Sequence, residues 1–354
     1  MLPLLLTTNP GLEDVVEGEI RALAVTAEVG VRRVVFPYED RPGQVLIDLE
    51  TDHPTAVVLA RRMRSIHHIL RPIARLTVAE ESPMIAMRGA AAGLDIPELH
   101  SADRFRVTGI RKGAHDFTST DLQRSVGAGI IDTYGTAVGL KDFDIEIRAD
   151  VLDDRCDIGV QITHRALSKR QQRPYRPRTA IKANVAFSML WLAAPDQAPE
   201  VLLDPFCGSG TILVEAAALF PTTRLIGSEM FEKPLNGARQ NLEHLGVAAE
   251  VRKADGRVLD ETLPAGCVDL IVTNPPFGVR LGGRANFDWF YTRLLAGAVH
   301  VLRPGGRIAL LAWHRGALDW AIERNRYLHS MHVRTLQTGG LCLGFYLLER
   351  RAEA

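Results

Sequence analysis

The second half of the chain alternates short apolar segments with amphipathic ones, and this alternation limits the folds open to it. Residues 201–204 predict a strand, residues 211–220 a helix that ends before Pro221, and residues 224–228 the next strand. The same pattern predicts further strands at 250–253, 268–273, 307–312, 333–336 and 345–348, and helices near 234–245, 289–302 and 317–325. Strands that alternate with helices form a mainly parallel, doubly wound sheet. The last two strands are too close for a helical crossover, so we expect an antiparallel hairpin at one edge.

The first half has no such regular alternation and predicts an α+β arrangement. A helix is expected over residues 11–20, where the apolar residues fall on one helical face. The other expected elements are strands at 4–8, 44–49, 104–110, 143–147 and 156–162 and a helix at 120–134. Because 354 residues are too many for one ordinary core, we expect two or three domains.

Composition restricts the partners and the cellular compartment. Lys+Arg and Asp+Glu are equal at 42 each, so a surface for nucleic acid must come from local clustering. The four cysteines are far apart, which favours reduced thiols over disulfides or a zinc site. No apolar run approaches the roughly 18–20 residues that cross a bilayer, and the first residues lack the basic region of a signal peptide. We therefore expect a cytoplasmic protein that requires no metal.

A basic segment joins the two halves. Residues 164–182 contain seven cationic side chains and no acidic one, namely Arg165, Lys169, Arg170, Arg173, Arg176, Arg178 and Lys182. A solvated linker would have this composition. The segment also contains Gln171, Gln172 and Tyr175, which suit gripping of phosphates and stacking on a base. Both interpretations remain open from the residues alone.

A glycine-rich loop follows the first predicted strand of the second half. It spans residues 203–211, and Gly208 and Gly210 allow a tight turn that approaches a ligand closely. A dinucleotide-binding loop would need a third glycine where Leu213 stands, and a phosphate-binding loop would need a lysine. The loop therefore favours a compact cofactor without phosphate.

Acidic residues end three successive predicted strands. Asp204 is placed to accept a hydrogen bond from an amino group, Glu229 to bind two ribose hydroxyls, and Asp255 to accept from an adenine amino group. One such acid alone would more often cap a helix. Three in register favour a binding site.

The fourth strand is followed by a loop that presents acceptors only. In the run from Asn274 through Pro275, Pro276 and Phe277, the prolines stiffen the backbone and remove two N–H donors. An ordinary turn would use similar residues. The Asn274 side-chain oxygen and the Pro275 carbonyl suit an aromatic amino group, whose delocalised lone pair makes it a poor nucleophile. Phe277 would stack on the base.

These motifs resemble those of the class I S-adenosylmethionine-dependent amino-methyltransferases, which include N6-adenine and N2-guanine enzymes. The matching segments are DPFCGSGT in the first loop and NPPFG in the fourth. The resemblance implies a Rossmann-like catalytic domain with S-adenosylmethionine as cofactor. It implies a target-base site formed by Asn274, Pro275, Pro276 and Phe277. It implies a cofactor site formed by Asp204, Phe206, Gly208, Gly210, Thr211, Glu229, Asp255 and Gly256.

The first half resembles a THUMP domain preceded by a ferredoxin-like domain. The resemblance is carried by residues 104–107, 113–119, 121–134, 142–147 and 157–163. The combination is similar to the tRNA guanine-N2-methyltransferases, whose bacterial members act at position 6 of the acceptor stem. It implies a ferredoxin-like domain at 1–60, a THUMP domain at 61–165, a basic linker at 166–185 and a methyltransferase domain at 186–354. It also implies a monomer that binds the acceptor stem and 3′ end of tRNA, with contacts from Lys112, Arg165, Lys169, Arg170, Arg173, Arg176 and Arg178.

Three rival functions remain open from the sequence. An rRNA guanine-N2-methyltransferase shares both modules, and an N6-adenine methyltransferase shares the catalytic tetrad. An RNA-binding protein that has lost activity would keep the fold. The histidines at 67, 68 and 314 have no partners at metal-ligand spacing, so we expect ordinary packing or surface roles for them. Cys207 lacks a nearby histidine in sequence, so we expect it to be a small packing residue.

Overall fold

A computed structural model of the chain describes residues 3–36, 41–79, 81–194, 197–276 and 286–352. Within these ranges the chain forms two sheets, one in each half. The strands and helices expected from the sequence are present, with ends shifted by a few residues. No helix in the described ranges is both long and apolar enough to span a membrane.

The first sheet has eight strands in the order β2-β3-β1-β4-β8-β7-β5-β6. The strands are β1 (Leu4–Thr7), β2 (Val31–Val35), β3 (Gln44–Leu49), β4 (His68–Thr77), β5 (Arg104–Lys112), β6 (Ala137–Val138), β7 (Ile145–Leu152) and β8 (Arg155–Gln161). The helices are α1 (Glu13–Thr26), α2 (His53–Arg62), α3 (Pro83–Ala92) and α4 (Ser119–Tyr134). Strand β4 pairs antiparallel with β1 on one side and β8 on the other. One continuous sheet therefore joins the region around β1–β3 to the region around β5–β8. Each region keeps its own apolar core.

The second sheet has seven strands in the order β11-β10-β9-β12-β13-β15-β14. The strands are β9 (Val201–Asp204), β10 (Arg224–Glu229), β11 (Glu250–Lys253), β12 (Val268–Thr273), β13 (Leu302–Ala312), β14 (Leu328–Thr338) and β15 (Leu341–Arg350). The helices are α5 (Ala183–Ala193), α6 (Thr211–Leu219), α7 (Glu232–His244), α8 (Phe287–Val301) and α9 (Arg315–Glu323). β9 to β13 pair in parallel, and β15 is antiparallel to β13 and β14. The parallel α/β fold and the antiparallel edge hairpin are confirmed.

The order of this sheet reverses direction at its centre. The chain proceeds outward from β9 through β10 to β11, and then returns to place β12 on the other side of β9. Ligands of doubly wound sheets bind beyond the carboxyl ends of the strands at such a switch point. The loops after β9, β10, β11 and β12 therefore meet at one edge, which is where the sequence places its candidate residues.

Helix α5 was not foreseen by the sequence. Most of its residues are buried, because it packs against α1 of the first half and against α6 and the second sheet. A helix enclosed on all sides has no amphipathic stripe to mark it. Strands β2, β4 and β6 and helices α2 and α3 were also not predicted.

Candidate active site

The glycine-rich loop connects β9 to α6 and is tied to the neighbouring strand. The backbone N–H of Cys207 donates to the Ser228 carbonyl at 2.9 Å, and that of Gly210 donates to the Cys207 carbonyl at 2.7 Å. Gly208 and Gly210 have φ values of 54° and 77°. Residues with a Cβ rarely adopt these angles, so the fold of the loop requires both glycines.

Asp204 lies at the carboxyl end of β9 and is 1% exposed. Its Oδ1 accepts hydrogen bonds from the Thr273 hydroxyl at 2.8 Å and from the Phe206 N–H at 3.2 Å. Burial raises the pKa of Asp204 to about 7, although the Thr273 bond acts in the opposite direction. A buried carboxyl with this pKa is well suited to receive a cationic amino group, which would favour its ionised form.

Glu229 ends β10, whereas Asp255 lies two residues after the end of β11 rather than on the strand, and the surroundings of the two acids differ. Glu229 is half-buried, and its Oε1 accepts from the Phe231 N–H at 2.9 Å. Asp255 accepts from its near neighbour Arg257, whose Nε lies 2.9 and 3.0 Å from the two carboxylate oxygens. The Arg257 guanidinium holds the pKa of Asp255 below its usual value. A ligand amino group at Asp255 would therefore share the carboxylate with Arg257.

Gly256 brings the loop after β11 into contact with the glycine-rich loop after β9. A Cβ at this position would lie 2.3 Å from the Pro205 carbonyl oxygen and 2.9 Å from the Phe206 ring. The Phe206 ring in turn lies 5.7 Å from the ring of Phe290 on α8. The loops after β9 and β11 thus meet over a space that accepts no side chain at residue 256.

Asn274 directly follows β12 and is half-buried. Its Oδ1 is buried and receives no hydrogen bond from the described part of the chain. Pro275 is buried and Pro276 exposed, whereas Phe277 lies outside the described residues. A buried amide oxygen without a donor costs free energy unless a ligand supplies one. This acceptor is therefore available to a substrate N–H.

The cations of the basic segment are of two kinds, exposed ones and half-buried ones that bind other parts of the chain. Arg165, Lys169 and Arg178 are exposed, as is Lys112 on β5. Arg176 is exposed and donates to carbonyls of its own segment. The two half-buried cations of the segment are Arg170 and Arg173.

Arg173 and Arg170 both contact the methyltransferase half. Arg173 donates to the Ser209 hydroxyl at 3.4 Å and to that of Thr211, the first residue of α6. Arg170 binds the buried Glu215 of α6 at 2.8 Å. The structure therefore places Arg173 against the glycine-rich loop and Arg170 against α6, the helix that follows it.

Sequence reasoning missed Asn241, which is fully buried on α7. Its amide group donates to the carbonyls of Ser209 at 2.9 Å and Tyr175 at 2.8 Å, and accepts from the Tyr175 N–H at 2.9 Å. The Tyr175 ring packs on Gly237, where a Cβ would lie 2.1 Å from the ring. Asn241 thus joins the basic segment to the glycine-rich loop, and no local pattern in the sequence predicts this connection.

Cys207 has the packing role that was predicted, and His67 and His314 have ordinary structural contacts within the fold. Cys207 is buried in the core beneath the loop. The His67 ring hydrogen-bonds to Ser168 at 2.8 Å, and burial lowers its pKa to about 3. His314 stacks on Phe287 with ring centroids 3.7 Å apart. The described residues contain no group of three or more His, Cys, Asp or Glu arranged to hold a metal ion.

Comparison with known proteins agrees with this arrangement. Residues 84–161 match the THUMP domain, and residues 170–343 match the RMKL-like methyltransferase domain. The chain is 36% identical to a tRNA (guanine(6)-N2)-methyltransferase of Thermus thermophilus, over 97% of this chain and 98% of the relative. A protein of the same name from Archaeoglobus fulgidus is 29% identical over 95% of this chain and 89% of its own length. The crystal structure of TrmN from Thermus thermophilus superimposes with a TM-score of 0.78, at 34% identity, and covers 99% of this chain and 100% of that one.

Fold and site together define a methyltransferase. The resemblances to a THUMP domain and to a methyltransferase domain are confirmed, since residues 84–161 and 170–343 match the corresponding family models. The chain belongs to the family that combines a THUMP domain with an RMKL-like methyltransferase domain.

Proposed function

We propose that this chain transfers a methyl group from S-adenosylmethionine to the N2 amino group of a guanine in tRNA, at position 6 of the acceptor stem. The observation that carries the proposal is the buried Asn274 Oδ1, which lies beyond the carboxyl end of β12 and has no donor among the described residues. The names of the relatives from Thermus thermophilus and Archaeoglobus fulgidus support the base, the atom and the position.

The residues at the switch point fit S-adenosylmethionine. Asp204 suits the amino group of the methionine part, Glu229 the ribose hydroxyls, and Asp255 the adenine amino group. Gly256 lets the loop after β11 pack directly against Pro205 and Phe206 of the glycine-rich loop. Phe206, Gly208, Gly210 and Thr211 complete the loop around the cofactor. When bound, the cofactor supplies a methyl group on a positively charged sulfur.

The target amino group must be made nucleophilic by its surroundings. Asn274 Oδ1 and the Pro275 carbonyl accept its two hydrogens, which favours a pyramidal nitrogen and exposes the lone pair. With the cofactor bound, these acceptors would hold the nitrogen in line with the methyl group that the sulfur supplies, and the surplus proton of the methylated amino group would leave to solvent. Pro276 keeps the loop stiff, and the role proposed for Phe277 is to stack on the base. The chain contributes chiefly positioning and preorganised dipoles.

A stem guanine must leave its base pair to reach this loop. Flipping costs a few kcal/mol of pairing and stacking, so contacts elsewhere have to offset it. The THUMP region is proposed to hold the 3′ end and acceptor stem. Exposed cations then contact the phosphates of the RNA, namely Lys112, Arg165, Lys169, Arg176 and Arg178. We propose a cytoplasmic monomer with a ferredoxin-like domain at 1–60 and a THUMP domain at 61–165, which share one sheet.

The test is to incubate the purified chain with labelled S-adenosylmethionine and, separately, unmodified tRNA, rRNA and duplex DNA. The labelled nucleoside is then identified. The proposal expects N2-methylguanosine at position 6 of tRNA, and loss of the label in Asn274→Ala. Label in rRNA or in adenine would overturn the substrate assignment, and cofactor binding without transfer to any substrate would favour an inactive RNA-binding protein.

A further inference from the structure

Glu215 is a fully buried acid that the methyl-transfer chemistry does not use. It lies on α6, one turn after Thr211, and its side chain is 0% exposed. Its Oε2 accepts from Arg64 Nη2 at 2.7 Å and from Arg170 Nη2 at 2.8 Å, and its Oε1 accepts from Gln171 Nε2 at 2.7 Å. One carboxylate thus joins three separate segments of the chain. We call this group the Glu215 node.

The Glu215 node connects the RNA-binding half to the methyltransferase half. Arg64 lies between α2 and β4 in the first half, and Arg170 lies in the basic segment. The backbone of Arg64 is itself fixed, because its N–H donates to the buried Glu19 of α1 at 2.7 Å. Arg170 also donates to the Arg64 carbonyl at 3.0 Å. Arg64 is therefore held by one buried acid from each half of the chain.

The glycine-rich loop leads directly into α6, the helix on which Glu215 lies. Residues four apart on a helix are neighbours, so Thr211 and Glu215 lie side by side. Arg173 reaches Thr211 and Ser209, while Arg170 reaches Glu215. The basic segment therefore runs along α6 from the Glu215 node to the glycine-rich loop. A shift of the first half would be transmitted to this helix.

We propose that Glu215 is a positioning residue that fixes the orientation of the first half, and of the RNA end held there, relative to the cofactor loop. A buried charge must be satisfied by partners in good geometry, so the carboxylate permits one arrangement of Arg64 and Arg170. An apolar side chain would pack there without imposing that arrangement. The proposal rests on the proposed function, since it requires an RNA bound by both halves.

The experiment compares two RNA substrates in the full-length chain. One is a tRNA transcript, and the other is the same acceptor stem without its single-stranded 3′ end, so that the first half has less to hold. The variants are Glu215→Gln, which keeps the shape, and Arg64→Gln, which breaks the node from the other side. The matched control is Asp269→Asn, an acid that binds Arg303 at 2.7 Å near the amino-terminal end of β12, away from the cofactor edge of the sheet.

The node variants should lower kcat/KM for tRNA about tenfold, mainly through KM, because coupling between sites of this kind spans roughly 5–150-fold. Their kcat/KM for the shortened RNA, and their affinity for S-adenosylmethionine, should stay within about twofold of the parent chain. The control should match the parent chain on both RNAs. Equal losses on both RNAs, or no loss on tRNA, would overturn the role of Glu215. Absence of tRNA methylation by the parent chain would instead overturn the proposed function.

Discussion

The Thr273 hydroxyl donates a hydrogen bond of 2.8 Å to the buried Asp204 carboxylate and so joins the carboxyl ends of β9 and β12. Strand β9 leads into the cofactor loop, and β12 leads into the Asn274 loop. The bond therefore connects the two loops on which the proposed reaction depends. It also stabilises the ionised form of Asp204, against the effect of burial.

We predict that affinity for S-adenosylmethionine rises with pH up to about 7. Burial raises the pKa of Asp204 to about 7, and the proposed contact with the cofactor amino group needs the ionised carboxylate. Below that pH the affinity should fall by up to about tenfold per unit, because binding must first release a proton. Calorimetric titration at pH 6, 7 and 8 measures this. Thr273→Val removes a hydrogen bond that lowers the pKa of Asp204, so the midpoint of the pH dependence of affinity should move to higher pH in this variant. Equal affinity of the parent chain at all three values would contradict the prediction.

The same shift predicts how the ligand-free chain responds to acid. The folded-state pKa of Asp204 is raised, so its contribution to the free energy of unfolding is fully present below about pH 4. That contribution is lost as pH rises towards 7, because the unfolded chain ionises first. Asp204→Asn should remove this part of the pH dependence between 4 and 7. Urea unfolding of both forms across the range measures the difference, and parallel curves would contradict the prediction.

We predict that Gly256→Ala weakens cofactor binding by about tenfold or more. The new Cβ would lie 2.3 Å from the Pro205 carbonyl oxygen, so the loop after β9 would have to shift. A misplacement of about 1 Å in such a site can cost on the order of a hundredfold in rate. Gly316→Ala on α9 is the control, because its Cβ would meet nothing within 4 Å. Unchanged cofactor affinity in Gly256→Ala would show that the loop tolerates the shift.

The sequence was sufficient to predict which edge of the second sheet carries the candidate residues. Asp204, Glu229 and Asp255 could be assigned to one edge because parallel strands end together. Their individual environments could not be predicted. The burial of Asp204 and its bond to Thr273 depend on β9 lying beside β12, which are far apart in the chain. The pairing of Asp255 with Arg257 is local, but nothing in the sequence says which way either side chain turns.

An exposed face made helix α7 predictable, although α2 and α3, which also have exposed residues, were missed. Helix α7 has a clear apolar stripe, whereas α5 is enclosed and gave no such signal. The basic segment is a third case. Its charge predicted either a solvated linker or an RNA-binding surface. Arg170 and Arg173 instead bind parts of the chain more than thirty residues away. Such contacts depend on the tertiary fold and produce no periodic pattern in the sequence.

We predict that Asn274→Ala lowers the rate of methyl transfer by about a hundredfold or more, the usual cost of removing one preorganised polar group from an active site. Cofactor affinity should stay within about twofold, because the Asn274 side chain is proposed to contact only the substrate amino group. Asn274→Asp keeps an acceptor oxygen and should retain more activity than Asn274→Ala. Single-turnover kinetics with saturating tRNA separates the chemical step from binding. Asn274→Ala turning over at the parent rate would remove Asn274 from the mechanism.

The exposed cations of the basic segment offer a separate test of RNA binding. Reversing Arg170 or Arg173 would disturb Glu215 or the cofactor loop, so a loss of binding there would be hard to assign. Arg165, Lys169 and Arg178 are exposed, and their triple reversal to Glu should weaken tRNA binding and leave cofactor binding intact.

Each lost phosphate contact lowers the slope of log affinity against log salt by about 0.7–0.9, so the triple variant should lose about two to three units of slope. Arg326→Glu, beyond α9, is a control that changes charge on an exposed residue of the other half. Filter-binding titrations at several salt concentrations measure the slope. If the triple variant keeps the parent slope, these cations face solvent in the complex, and the THUMP region must supply the phosphate contacts by itself.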